Sequence, residues 1–120
     1  MPLVLIVEDD ELLLNMYRVV FEQHHFQVVM ASDGQSALDA IEQAMPDVML
    51  LDIVMPKVDG LEVLQQLKAN AKWQKIPVVV TTSLTDTATA DAALAAGATK
   101  FIQKSEYHPE EVVKIVKQVL

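Results

Sequence analysis

The stretch Val48-Met49-Leu50-Leu51-Asp52-Ile53-Val54-Met55-Pro56-Lys57-Val58-Asp59-Gly60 decides the fold. Its first four residues are apolar without alternation and too few for a helix. That pattern describes a strand buried on both faces, as in a parallel sheet covered by helices. The run then meets an acid, Asp52, followed by Met55-Pro56 and an Asp59-Gly60 turn, where glycine is expected to supply a positive φ. An ionised carboxylate beside such a run is costly without opposite charge or hydrogen bonds. Asp52 therefore marks a place where something must face it.

Working outward, the same unit recurs. Leu3 to Val7 is a short apolar run, and Glu11 to His24 follows with Leu12, Leu13, Met16, Val19 and Val20 at helical spacing. Phe26 to Met30 reads as a second strand. Gly34 to Ala44 reads as a helix with Ala37, Leu38 and Ile41 on one face, and Pro46 lies just past it. After the opening stretch come a helix at Leu61 to Lys68 and a strand in Ile76-Pro77-Val78-Val79-Val80-Thr81-Thr82, where Pro77 suits a first position. An Ala-rich helix over Thr85 to Ala96 stops at Gly97, and Phe101-Ile102 marks a short strand. Pro109, with Glu110 and Glu111 behind it, opens a last helix. Five strands alternating with five helices predict an α/β fold: a doubly wound, five-stranded parallel sheet in the flavodoxin-like order 2-1-3-4-5.

Bulk properties set the frame. The 120 residues make one domain, 1–120, with 52% apolar and 22% charged residues. No apolar run approaches the ~18 residues of a membrane span. The start, Met1 to Asp10, lacks the basic segment and cleavage site of a signal peptide, so the expected compartment is cytoplasmic. The absence of cysteine removes disulfides and thiolate metal sites. A net charge of −8 and no Lys/Arg run argue against direct nucleic-acid binding.

In a sheet of this kind, functional groups gather beyond the carboxyl ends of the strands. Strand one ends in Glu8-Asp9-Asp10, strand three in Asp52 and strand four in Thr81-Thr82-Ser83, and Lys104 follows strand five. Asp10 reads as the cap of the first helix. Side chains alternate along a strand, so one of Thr81 and Thr82 faces the site, and the spacing from Pro77 favours Thr82. Packed carboxylates repel unless a cation neutralises them. A hard divalent ion with oxygen ligands answers this, and Mg²⁺ fits best because water and phosphate oxygens complete its octahedron. Zinc is disfavoured, since His24, His25 and His108 lie off the cluster. Carboxylate, metal, hydroxyl and ammonium together are equipment for phosphoryl transfer. An Asp oxygen acts as nucleophile, Mg²⁺ and Lys104 offset charge, and the Thr82 hydroxyl bonds a phosphoryl oxygen.

Five segments in order, Val4 to Asp10, Ala31 to Ile41, Pro46 to Leu64, Ile76 to Ser83 and Gly97 to Ser105, resemble the receiver domain of two-component response regulators over the whole chain. The resemblance implies a phosphorylation-controlled signalling switch and not a metabolic enzyme, catalysing only its own phosphorylation and dephosphorylation. Asp52 would accept a phosphoryl group from a sensor histidine kinase or a histidine phosphotransfer protein. Asp9 would bind Mg²⁺ directly and Glu8 mainly through water, with Asp52 and the Val54 carbonyl as further ligands. Lys104 would pair with Asp52 and then with the phosphoryl group. Thr82 and Phe101 would form the switch, remodelling the surface of helix four, strand five and helix five for a downstream protein or fused output domain. No separate organic cofactor is implied.

Two departures from the family pattern carry expectations. Ser105 stands where the family places a cis proline. A cis bond before a non-proline residue costs ~3–4 kcal/mol, so the Lys104-Ser105 peptide is expected to relax to trans and to hold Lys104 less securely in place. Val54 and Leu84 are apolar, which predicts a long-lived phosphorylated state. The chain reaches Leu120 where the last helix should finish, as expected of a stand-alone regulator or of the receiver piece of a longer protein. A monomer is expected, with a possible phosphorylation-dependent dimer in which Lys100, Lys114 and Lys117 meet Asp86, Asp91 and Glu111. The alternatives are a phosphorylation-independent pseudo-receiver docking module and a Mg²⁺-dependent aspartyl-phosphate phosphatase of the haloacid-dehalogenase type. The latter needs a second Asp where this chain has Val54.

Overall fold

A computed structural model describes residues 1–53, 59–83 and 87–120. Within them the chain runs β1 (Leu3–Val7), α1 (Glu11–Gln23), β2 (Gln27–Ala31), α2 (Gly34–Gln43), β3 (Val48–Asp52), α3 (Gly60–Ala69), β4 (Val78–Thr82), α4 (Thr87–Ala95), β5 (Lys100–Gln103) and α5 (Pro109–Val119), with a 3₁₀ turn at Lys104–Glu106. The strands pair in parallel in the order β2-β1-β3-β4-β5, as the alternation of apolar runs and helices predicts. Pro77 stops one residue short of β4, and its carbonyl accepts the Met49 N–H at 3.0 Å.

Alternation along the strands divides the core in two. Val4, Ile6, Val48, Leu50, Val79 and Ile102 point into the layer of α1 and α5, against Leu14, Tyr17, Phe21, Val112, Val113 and Val116. Leu5, Val7, Met49, Leu51, Val78 and Val80 point into the layer of α2, α3 and α4, against Ala37, Leu38, Ile41, Val63, Leu64, Leu67 and Ala93. Each such side chain contributes on the order of 1.5–3 kcal/mol by leaving water. This two-sided burial holds the strand ends at one edge of the sheet.

Along α1, Leu13 and Val20 of the apolar spacing pack on the core beside the buried Leu14, Tyr17 and Phe21, while Leu12, Met16 and Val19 are 73%, 45% and 42% exposed. Helix α1 carries apolar residues at two overlapping helical spacings, and the stripe with the two aromatics takes the core because it buries more area. Gly60 does not have a positive φ: among the described residues only His25 and Gly97 do. A Cβ at Gly60 would instead collide with the Asp52 carbonyl oxygen and sit 2.5 Å from Ile53 Cα.

The helix ends are capped by short polar contacts. Asp10 Oδ1 accepts from the N–H groups of Leu12 (3.0 Å) and Leu13 (3.2 Å), as expected of an N-cap. Asp33 and Asp59 do the same for Ser36 (2.8 Å) and Glu62 (3.0 Å). Gly97, at φ +110°, closes α4 with Ala98 N–H to Ala93 O (3.0 Å) and Gly97 N–H to Leu94 O (3.1 Å). The same closure ends α1 through His25 at φ 68°, where Phe26 N–H reaches Phe21 O (3.1 Å) and the two rings meet edge to face at 5.0 Å.

Candidate functional site

Each strand that borders the centre of the sheet delivers a polar group at its carboxyl end. β1 runs into Glu8, whose N–H donates to Ala31 O of β2 at 3.0 Å, and the side chain is almost fully buried at 1% exposure. Asp9 follows it and is exposed. β3 ends on Asp52, 2% exposed. In the β3–β4 register Asp52 lies opposite Thr81, and Thr82 lies opposite Gln103 of β5. Both threonines are buried. By alternation Asp52, Glu8 and Thr81 continue the rows that face α1 and α5, and Thr82 continues the row of Val78 and Val80. Thr81 is thus the cross-strand neighbour of Asp52, which spacing alone did not single out.

Lys104 arrives from beyond β5. Its Nζ sits 2.5 Å from Glu8 Oε1 and 3.1 Å from Asp52 Oδ2, with the side chain 17% exposed. The peptide after Lys104 is trans, since there are no cis bonds among the described residues, and Lys104-Ser105-Glu106 form the 3₁₀ turn. With a trans linkage at Ser105 the lysine still sits over both acids, whereas the loss of the family's cis proline was expected to fix it less securely. Phe101 is half-buried, packs against the core layer of α2 to α4, and pairs in register with Val80.

The electrostatics are those of an acid pair short of positive charge. Burial pushes the Glu8 carboxyl up to about 7; Asp52 adds to this, and Lys104 and the Asp10 amide oppose it. The Asp10 N–H donates to Glu8 Oε2 at 3.1 Å. Burial works against the Lys104 ammonium too, but Glu8 and Asp52 outweigh it and its pKa is raised. Tyr17 of α1, 3% exposed, has its phenol pushed up to about 12 by burial and then by the charges of Glu8 and Asp52. That places an aromatic ring of α1 near the acids, on a residue that the apolar spacing of this helix had not included.

The arrangement fits a divalent cation. Glu8, Asp9 and Asp52 each bring one carboxylate oxygen within 4.8 Å of the others. Glu8 Oε1 is buried and, despite its ion contact with Lys104, makes no well-aligned hydrogen bond. Three acids against one lysine among the described residues leave a negative excess that a hard cation would offset. Val54, expected to lend its carbonyl, lies outside the described residues, as do Leu84 and Asp86. Lys100, Lys114, Lys117, Asp91 and Glu111 are all exposed.

Residues 4–117 match the response regulator receiver domain family. A probable transcriptional regulator, ycf27, of Guillardia theta is 36% identical over 98% of this chain and 44% of its own length. The chain spans about half the length of the curated relatives it matches. Among solved structures, the chemotaxis protein CheY4 of Vibrio cholerae superposes with a TM-score of 0.92 at 28% identity, over 100% of this chain and 99% of that one. The Mn²⁺-bound form of response regulator Rcp1 superposes with a TM-score of 0.85 at 26% identity, over 99% and 91% of the two chains. No helix among the described residues is long and apolar enough to cross a membrane.

Proposed function

The chain belongs to the response regulator receiver domain family, and from that premise we propose that it is a phosphorylation-controlled switch whose acceptor is Asp52. The observation that carries this reading is the joint grip of Lys104 on two buried acids at adjacent strand ends, with a third acid within reach. A purely structural lysine would need one partner; here it spans the gap between Glu8 and Asp52.

In this reading an Asp52 carboxylate oxygen attacks the phosphorus of a phosphohistidine or small acyl phosphate. A P–O bond forms, the P–N or P–O bond to the donor breaks, and the electron pair leaves with the donor group. Lys104 follows the charge from the carboxylate to the new phosphoryl oxygens. The Thr82 hydroxyl, which follows the row of Val78 and Val80 next to Thr81, would move toward one of those oxygens and donate to it, as the family resemblance implies, and Phe101 would follow it inward. Asp9 and Asp52 would hold Mg²⁺, with Glu8 acting mainly through a water and the Val54 carbonyl as the family resemblance implies, and the ion would supply charge neutralisation for the transferring group. Later attack by water releases phosphate and restores Asp52, slowly in this chain because residues 54 and 84 are apolar.

The surface formed by α4, β5 and α5 then reports the state to a partner, and an association of two phosphorylated copies through that face belongs to the same reading. A relative is named a DNA-binding response regulator, yet the net charge of −8 on the present residues disfavours DNA contact by this domain itself. A cytoplasmic location belongs to the same reading. Intact mass after incubation with Mg²⁺ and a small acyl phosphate tests the proposal. One added phosphoryl group is expected, absent without Mg²⁺ and in Asp52→Asn. No uptake would favour a docking module, and steady turnover of phosphomonoesters would favour a phosphatase.

A further inference from the structure

We infer that Gly60 is a positioning residue for Asp52, setting the height of the acceptor backbone by having no side chain. The inference rests on the proposed role of Asp52 and goes beyond it, to what fixes that residue in place. Gly60 opens α3, and its N–H donates to Ile53 O at 2.9 Å. A Cβ there would overlap the Asp52 carbonyl oxygen and stand 2.5 Å from Ile53 Cα and 3.0 Å from the Asp52 carbonyl carbon. Every one of these neighbours is backbone, so no side chain can swing aside.

The Asp52-Ile53 backbone has no slack on its other side. Ile53 N–H donates to Thr81 O of β4 at 3.1 Å, and the Ile53 side chain is buried in the core at 5% exposure. Helix α3 is likewise anchored by Val63, Leu64 and Leu67, all at 0% exposure. A methyl group at residue 60 must therefore displace the strand end or lift the helix. Displacing the strand end moves the Asp52 carboxylate relative to Lys104, Glu8 and Asp9. Glycine is required here for close approach and not for its φ, which distinguishes it from Gly97. The atoms nearest a Cβ at Gly97 would be those of the flexible Lys68 side chain, from 2.8 Å, besides the strain of its φ.

The test compares Gly60→Ala with Gly97→Ala and with Asp59→Ala, which removes the cap of α3 and adds nothing against Asp52. Divalent affinity is measured by Mg²⁺ titration calorimetry alongside the thermal midpoint of each variant. Gly60→Ala is expected to weaken Mg²⁺ binding roughly tenfold, in the range of changes to groups that hold ligands in place. The other two should lose stability but keep nearly wild-type affinity. In the unaltered protein the Gly60 amide resonance should shift during the titration with the same midpoint as Asp9 and Asp52, while Gly97 stays still. This second measurement decides the matter if Gly60→Ala does not fold. A folded Gly60→Ala with unchanged affinity, equal weakening in all three variants, or a stationary Gly60 resonance while Asp9 and Asp52 respond would overturn the inference alone. If no resonance responds to Mg²⁺, the metal reading of the site falls together with it.

Discussion

Lys104 holds Glu8 more closely than it holds Asp52, with Nζ 2.5 Å from Glu8 Oε1 and 3.1 Å from Asp52 Oδ2. Two buried carboxylates thus share one ammonium, and its removal strands both. Lys104→Met is expected to cost about 3 kcal/mol in metal-free buffer near pH 8, the scale for breaking a buried pair. Urea unfolding measures it, and a loss under about 0.5 kcal/mol, the scale of an ordinary surface substitution, would mean that the lysine is merely a solvated charge.

The raised Glu8 carboxyl makes a pH prediction. Its folded pKa of about 7 exceeds the ordinary value of 4.5. Between those values the native state binds more protons than the unfolded one, so stability falls as pH rises through that window. The contribution is full below the unfolded pKa and lost as pH passes the folded one. Metal-free urea midpoints should decline from pH 5 to pH 7.5, and Glu8→Gln should flatten the decline. A slope unchanged by Glu8→Gln would refute this assignment.

Asp9 separates metal binding from stability. It is exposed, whereas Asp52 and Glu8 are buried. Mg²⁺ at a hundred times its dissociation constant should stabilise the wild type by about 2.7 kcal/mol through mass action. Asp9→Asn should leave the metal-free midpoint almost unchanged and abolish most of the Mg²⁺ increment. Thermal scans with and without Mg²⁺ provide the comparison.

His25 offers a prediction away from the site. It closes α1 at φ 68°, a conformation that costs a residue with a Cβ roughly 1 kcal/mol. His25→Gly should raise stability by about 0.5–1 kcal/mol, read from the urea midpoint, with Mg²⁺ affinity unaffected. Destabilisation would show that the imidazole makes a contact worth more than the strain.

The strand ends were legible because buried parallel strands are continuous apolar runs, and the acids interrupting them stand out. Glu8, Asp52 and Lys104 meet as expected once β1 and β3 are neighbours. The core face of α1 was legible only in part, because periodicity does not choose between two overlapping apolar faces; the areas of Tyr17 and Phe21 decide it. Gly60 was read through φ because turns are the usual reason for Asp-Gly, and the approach of the Asp52-Ile53 strand end is a tertiary fact. The closeness of Thr81 to Asp52 depends on register, which no local spacing encodes.

The central claim is that Asp52 itself carries the phosphoryl group. The most direct measurement is to treat the Mg²⁺- and acyl-phosphate-exposed protein with borohydride and map the product by peptide mass. Reduction of an aspartyl phosphate turns that residue into homoserine, and the account predicts this change at residue 52 alone. Conversion at another acid, or a phosphoryl mass that resists reduction, would contradict it.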